Sequence, residues 1–254
     1  MAEPVYAPVI FTAKTLFKAL GLRIRIRGAE HMPRHGGAVL ASNHISYLDF
    51  IFAGLGANPA GRYVRFMAKD TIWSNPVAGP LMRGMKHIPV DRAAGAASLA
   101  AGLASVRRGE VVGVFPEATI SQSFELKTFK NGAARMAADA GVPLVPVVLW
   151  GTQRMMTKGR PRDFSRGKAI SVTVGEPFHP VPADDMNQTT AALRARMADM
   201  LDDAVATYPQ RPAGEADRWW LPARHGGTAP TPQEAAALEV AERKARAARA
   251  TDRS

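Results

Sequence analysis

The sequence has no cysteine among its 254 residues. This absence excludes disulfide bonds, thiolate metal sites and a cysteine nucleophile, and it fits a reducing compartment. Any thioester chemistry would therefore have to proceed without a cysteine-bound intermediate.

Long apolar segments are missing as well. The most apolar internal run, residues 142–150, is short and is interrupted by Pro143 and Pro146. We therefore expect no segment that spans a bilayer. The N-terminus does not have the layout of a signal peptide, and we expect none.

Two kinds of site have no matching motif. The sequence lacks a G-x-S-x-G motif, which argues against a serine hydrolase. Four histidines have carboxylates nearby in the sequence, but no recognisable ligand spacing connects them. They are His31, His35, His44 and His87. We expect no metal site and no cofactor.

Basic residues outnumber acidic ones, 33 to 22, and give a formal charge of +11. This charge predicts an anionic partner: nucleic acid, a phosphorylated metabolite or an anionic membrane surface. No zinc finger, aromatic-rich strand motif or homogeneous basic helix outside the tail accompanies the charge, so we do not expect nucleic-acid binding.

The N-terminal residues have the period of an amphipathic helix beside a basic strand. The residues at 22–27 read LRIRIR and predict a half-exposed strand with an arginine face. The helix could lie on a membrane surface or could cap the domain core, and the pattern favours the two equally. With the arginines beside it, we assign residues 1–21 to an amphipathic membrane-contacting helix. Its apolar face is Val9, Ala13, Leu16, Phe17 and Leu20.

Strand and helix patterns alternate between residues 22 and 208, which predicts one α/β domain with a mixed, largely parallel sheet flanked by helices. The composition shifts to Pro, Gly, Arg and Ala at residues 209–254, which we expect to form a loose tail. Within it, residues 233–250 suggest a solvated or frayed helix. Trp219 and Trp220 could dock on the domain or lie at a lipid interface, and docking is the commoner arrangement.

A histidine and a carboxylate occur together at the end of the second predicted strand, residues 38–42. Asp49 lies three residues after Ser46 and ahead of an apolar run, a spacing typical of a capping box, so it could serve only to satisfy backbone donors. Alternatively, His44 lies in the turn before a helix starting near Tyr47, and Asp49 reaches back to orient it. Such a pair can act as a general base for a hydroxyl group.

Two further strand ends carry polar groups that a core would not favour. Asp91 and Arg92 follow a predicted strand at 86–90, and Glu117 and Thr119 follow one at 110–115. Each could be an ordinary surface or turn residue by itself. Because ligands collect at the carboxyl ends of strands in α/β sheets, we expect these groups and His44 to converge.

Four sequence blocks in this order resemble those of the PlsC-like 1-acylglycerol-3-phosphate O-acyltransferases, and the third block resembles the actinobacterial branch. The resemblance spans roughly residues 22–149. The blocks are NHISYLD at 43–49, HIPVDR at 87–92, FPEATIS at 115–121 and VPLVPV at 142–147.

The resemblance implies a glycerol-3-phosphate acyltransferase-like fold and direct acyl transfer from acyl-CoA or acyl carrier protein. It implies that His44 is the base and Asp49 its orienter. From the apolar face of the first helix and the arginine strand, we expect a peripheral protein at the cytoplasmic face of the cell membrane. The resemblance also implies that the acceptor is a lysoglycerolipid. The residues that we expect to bind substrate are Asn43, Ser46, Lys69, Arg92, Glu117 and Thr119.

The third block departs from the family pattern at two positions. Ala118 and Ile120 stand where relatives usually have Gly and Arg, and that Arg is a phosphate ligand in the resemblance. Either Arg92, Lys69 and neighbours such as Arg83 or Lys127 suffice for lysophosphatidate, or the acceptor is another lysolipid or a glycolipid. A non-catalytic basic protein that binds anionic lipid or nucleic acid is the competing class.

Overall fold

The computed structural model describes residues 3–91 and 95–251. Arg92 lies outside the described residues. The α-helices are α1 (Tyr6–Ala19), α2 (Asp49–Ala57), α3 (Ala78–Gly84), α4 (Gly95–Arg107), α5 (Gly132–Ala140), α6 (Met186–Ala206) and α7 (Pro232–Thr251). The strands are β1 (Arg23–Arg27), β2 (Ala38–Ser42), β3 (Val64–Lys69), β4 (Ile88–Val90), β5 (Val111–Val114), β6 (Leu144–Trp150) and β7 (Ala169–Val174).

The strands form one seven-stranded sheet in the order β1-β7-β6-β2-β5-β3-β4. Every neighbouring pair is parallel except β6 and β7, which are antiparallel. The predicted single α/β domain with a mixed, largely parallel sheet is confirmed. Five parallel strands, β2 to β6, therefore end at the same edge of the sheet.

Both faces of the central strands are buried. In β2, Val39 and Ala41 pack toward α4, α5 and α6, while Ala38 and Leu40 pack toward α1 and α2. All five residues of β2 are buried, as expected for a strand covered by helices on both sides. The sheet thus holds the loops at its carboxyl edge in fixed positions.

Helix α1 packs on the domain with much of its apolar face. The Phe17 ring stacks on Phe52 of α2 at 4.9 Å between centroids, and Ala13 and Leu20 pack against the same core. The side chains left outward are Phe11, 73% exposed, and Leu16, 55% exposed. The core-capping interpretation therefore applies to most of the predicted face.

The arginines of β1 do not lie beside α1. Ile24 and Ile26 pack toward the core that contains α1, so alternation turns the arginines to the opposite sheet face. Arg27 pairs there with Asp203 of α6 at 3.2 Å. The arginines of β1 and the apolar face of α1 therefore do not form one surface, and the expectation that they lie side by side is wrong.

The C-terminal residues are not a loose tail. Trp220 is 1% exposed and belongs to the core beside Trp150 and Tyr208. Residues 232–251 form α7, and two of its glutamates pair with lysines of the domain. Composition did not predict that these residues pack on the domain, because a few buried aromatic side chains are enough to dock a segment that is otherwise polar. Within the described residues, no helix is long and apolar enough to cross a membrane.

Candidate active site

The carboxyl ends of the parallel strands bring five side chains to one edge of the sheet. His44 follows β2, Glu117 follows β5 and Thr152 follows β6, while Lys69 ends β3 and Asp91 follows β4. The convergence expected from the sequence is therefore present for the described residues.

His44 and Asp49 form a direct pair. Asp49 Oδ2 lies 3.0 Å from His44 Nδ1, and the imidazole is 19% exposed while the carboxylate is fully buried. With Nδ1 donating to Asp49, Nε2 carries the free lone pair. The pair is thus an oriented imidazole at the edge of a cavity.

Asp49 also organises the backbone around His44. Its Oδ2 accepts the N–H groups of Ile45, at 2.6 Å, and Ser46, at 2.7 Å, and its Oδ1 accepts the Thr152 hydroxyl at 2.6 Å. The same carboxylate therefore satisfies backbone donors, as a capping role predicts, and contacts the imidazole, as the orienting role requires.

The helix after His44 begins later than expected. It begins at Asp49 with Leu48 at the N-cap, rather than near Tyr47 behind a Ser46 cap. The Ser46 hydroxyl instead accepts the Leu48 N–H and donates to the Met156 carbonyl. These two hydrogen bonds keep residues 46–48 in a turn, so the helix starts only at Asp49. The Asp49 side chain therefore lies at the start of the helix and points back toward His44.

Aromatic rings fix the imidazole plane. The Phe115 ring stacks on His44 with centroids 4.2 Å apart, and Phe66 stacks on Phe115 at 5.8 Å. A stacked ring limits rotation of the imidazole about its side-chain bonds and excludes water from one face.

A cavity of about 890 Å³ opens beside His44. Its wall is mostly apolar, with aromatic, methionine and aliphatic side chains from β3, β4, α4 and the loop after β5. Cationic side chains also line it: Lys69, Lys130, Lys158 and Arg243. A cavity of this chemistry suits a molecule with an apolar chain and an anionic head.

Five of the six residues expected to bind substrate lie within the described residues, and they divide into two groups. Lys69 and Thr119 line the cavity. Asn43, Ser46 and Glu117 do not line it, because their polar atoms bond inward. Asn43 exchanges two hydrogen bonds with Leu149 of β6, at 2.7 and 3.0 Å. The structure therefore gives these three residues positions that support the site rather than contact a ligand.

Glu117 ties two loops together. Its Oε1 accepts the His44 N–H at 2.9 Å, and its Oε2 accepts the Lys127 N–H at 3.1 Å. Burial raises the pKa of Glu117 to about 8, although the two backbone donors and Lys127 oppose that shift. Its carboxyl group fixes the backbone that carries the base.

Comparison with known proteins decides the family. A protein-family model described as Acyltransferase matches residues 23–150, half of the chain. The chain belongs to this acyltransferase family.

Two relatives carry the same printed name, 1-acyl-sn-glycerol-3-phosphate acyltransferase. The Bacillus subtilis protein is 29% identical over 198 residues, 77% of this chain and 94% of that protein. The Limnanthes douglasii protein is 30% identical over 204 residues, 78% of this chain and 68% of that protein.

A solved structure shares the fold. It is that of the 1-acyl-sn-glycerophosphate (LPA) acyltransferase, PlsC, from Thermotoga maritima. It matches with a TM-score of 0.66 at 21% identity over 80% of each chain. At this identity the likeness supports the fold of the acyltransferase and nothing finer.

Ala118 has a φ of +64°, in the left-handed region where glycine is unstrained and a residue with a Cβ is not. Ile120 lines the cavity as an apolar side chain and supplies no cation there. These are the two positions at which the sequence departs from the pattern expected for the third block.

Two residues that were not predicted from the sequence hold His44 and Asp49 in place. Thr152 bonds Asp49 from the end of β6, and Phe115 stacks on His44. The rule that strand ends carry site residues would have found Thr152, because it follows a strand that the sequence predicts. Nothing in the sequence distinguishes Phe115 from an aromatic residue of the core.

His87 also lines the cavity and is largely buried. Its Nδ1 accepts the Phe66 N–H at 3.0 Å, and burial, with a contribution from Arg65, lowers its pKa to about 4. Among residues 3–91 and 95–251, no group of three or more His, Asp or Glu side chains is arranged to hold a metal ion.

Proposed function

We propose that the acyltransferase moves a fatty acyl group from acyl-CoA or acyl carrier protein to the free hydroxyl of 1-acyl-glycerol-3-phosphate, giving phosphatidic acid. The observation that carries this proposal is the His44–Asp49 pair, 3.0 Å apart, at the wall of a largely apolar cavity with cationic side chains. The names of the relatives support the same acceptor.

The chemistry uses Nε2 of His44 as the base. Nε2 takes the proton of the acceptor hydroxyl as its oxygen attacks the thioester carbonyl carbon. Asp49 stabilises the imidazolium that results, through the bond to Nδ1. The tetrahedral intermediate collapses by breaking the carbon–sulfur bond, and the thiolate leaves with the proton held by His44. No covalent enzyme intermediate forms.

The cavity fits an acceptor that has both an acyl chain and a charged head. Phe50, Met82 and Leu99 supply apolar surface for the chain, and the cationic side chains supply charge for the head. Since Ile120 replaces the usual Arg, phosphate recognition has to come from other cations. If it does not, another lysolipid or a glycolipid is the second candidate acceptor.

A donor-by-acceptor assay tests the proposal. Purified protein is incubated with acyl-CoA or acyl carrier protein and with lysophosphatidate, uncharged lysolipids or glycolipids, and free thiol and product lipid are both measured. We expect thiol release that depends on lysophosphatidate and equals phosphatidic acid formed. Thiol release that no lysolipid or glycolipid stimulates would favour the non-catalytic lipid-binding class.

We further propose peripheral association with the cytoplasmic face of an anionic membrane. Phe11 and Leu16 on α1 are exposed by 73% and 55%, and Lys18 is exposed in the last turn of the same helix. Exposed apolar side chains beside a lysine are suited to an anionic interface. Phe17, which the sequence also suggested, is buried and contributes to folding instead.

A further inference from the structure

A group of cationic and hydroxyl side chains at the cavity is engaged by carboxylates from the far end of the chain. Glu239 of α7 accepts the Thr119 hydroxyl through Oε1 at 3.0 Å and the Lys127 ammonium group through Oε2 at 2.5 Å. Glu242, one turn on, pairs with Lys158. Thr119, Lys158, Glu239 and Glu242 all line the cavity that contains His44.

The geometry around Glu239 is that of a bound oxyanion. Two donors, Lys127 and Thr119, converge on the two oxygens of one carboxylate, and Lys127 also contacts Thr119 at 2.5 Å. Burial opposes ionisation of Glu239, but the bonds from Lys127 and Thr119 hold its pKa below the usual value. A phosphate monoester offers the same acceptors with more charge.

The cations themselves are partly withdrawn from water. The Lys127 side chain is 27% exposed and the Lys158 side chain 19% exposed. A half-buried ammonium group needs an anion beside it, because its hydration is incomplete. These lysines therefore attract either the α7 carboxylates or an anionic ligand in the same place.

Helix α7 is held in a way that permits displacement. Leu238 and Val240 remain 44% and 50% exposed, so the helix buries little apolar surface. The Lys127–Glu239 and Lys158–Glu242 pairs are not sealed from solvent, so a competing anion can reach them. A ligand that brings a stronger anion can replace them.

We infer that Thr119, Lys127 and Lys158 form a phosphate-monoester subsite, which α7 closes in the free protein with Glu239 and Glu242 until the substrate's phosphate displaces them. This inference rests on the proposed function and deepens it, because it supplies the cations that Ile120 does not. The phosphate belongs either to lysophosphatidate or to the 3′-position of CoA.

Kinetics of full-length variants test the competition. We expect Glu239→Gln/Glu242→Gln to lower the KM of the phosphate-bearing substrate threefold or more, and Lys127→Gln to raise it. The matched control is Glu176→Gln/Glu215→Gln, which removes the same two charges from side chains 72% and 78% exposed outside the cavity. Equal KM values in the two double variants would overturn the inference.

Hydrogen exchange gives a readout that does not need turnover. In the wild-type protein, glycerol 3-phosphate but not glycerol should raise amide exchange in residues 236–245. A rise with CoA but not with dephospho-CoA would assign the subsite to the donor phosphate. No rise with any phosphate monoester would overturn the inference. Absence of lysophosphatidate acylation with a positive exchange result would instead reject the proposed function alone.

Discussion

The Thr152 hydroxyl donates a 2.6 Å hydrogen bond to Asp49 Oδ1, which joins the end of β6 to the start of α2. The other oxygen of the same carboxylate engages His44. His44 is therefore positioned by two strands that are neighbours in the sheet but about 100 residues apart in sequence.

His44→Ala should abolish acyl transfer while leaving the fold intact, because general-base catalysis is worth about 10²–10⁴ in rate. Asp49→Asn should lose much of the activity through a misoriented ring. The measurement is kcat at saturating substrates, with circular dichroism as the folding control. Near-wild-type turnover by folded His44→Ala would reject the mechanism. If Asp49→Asn lowers Tm but leaves kcat unchanged, Asp49 has only a structural role.

Thr152→Val should lower kcat by about tenfold, because it removes a donor from a buried carboxylate, a change that typically costs about 1–3 kcal/mol. Thr152→Ser keeps the hydroxyl and should restore most of the rate. If Thr152→Val lowers only Tm and leaves kcat unchanged, Thr152 does not position His44.

Glu117 should make stability fall as pH rises above 6.5. Its folded pKa is about 8 against 4.5 for the free side chain, so between those values the folded protein holds a proton that unfolding releases. Stability from this proton is complete below pH 4.5 and is lost as pH rises through 8. The slope can reach about 1.4 kcal/mol per pH unit.

The window above pH 6.5 isolates this effect from His87. Its folded pKa, about 4, is below the ordinary 6.5, so stability from neutral His87 is lost as pH falls from 6.5 toward 4. Urea unfolding between pH 6.5 and 8 should give a shallower slope for Glu117→Gln than for wild type. Identical slopes would contradict the raised pKa of Glu117.

Arg92→Ala should raise the apparent KM for lysophosphatidate about tenfold or more, with less effect on the thioester donor. The reason comes from sequence: Arg92 follows Val90 and Asp91, both of which line the cavity. Initial rates with lysophosphatidate and with an uncharged lysolipid measure the effect. An equal change for both acceptors would remove Arg92 from phosphate recognition and leave the acyltransferase assignment unaffected.

Phe11→Ser/Leu16→Ser should sharply reduce flotation with liposomes that contain anionic lipid, and wild-type binding should weaken with salt. Both side chains are exposed, so Tm should change little. The matched control, Phe164→Ser/Val181→Ser, replaces side chains 44% and 52% exposed elsewhere. Equal flotation by the two double variants would assign the membrane contact to another surface.

The sequence by itself determined the family, the mixed, largely parallel sheet and the pairing of His44 with Asp49. Residues 38–42 could be predicted as a strand because a central strand is covered on both faces and is apolar throughout, and the predicted bounds are those of β2. His44 and Asp49 were predictable because their contact depends on one short turn. The order of the four sequence blocks indicated the family, which no single block could do.

Only the tertiary structure decided which polar residues face the cavity. Asn43 and Glu117 belong to the same blocks as His44 and Thr119, yet they bond inward to Leu149, His44 and Lys127. These partners are distant in sequence, and a block does not specify which side of a loop each side chain takes.

The two ends of the chain were also decided by packing. Phe17 and Leu16 are neighbours on one predicted apolar face, but a helix buries only the part of that face that meets the domain. Trp220 and Glu239 lie in a segment of polar composition, and each contacts a residue that is distant in sequence. Composition and periodicity describe local preference, whereas burial and ion pairing depend on surfaces that only the folded chain brings together.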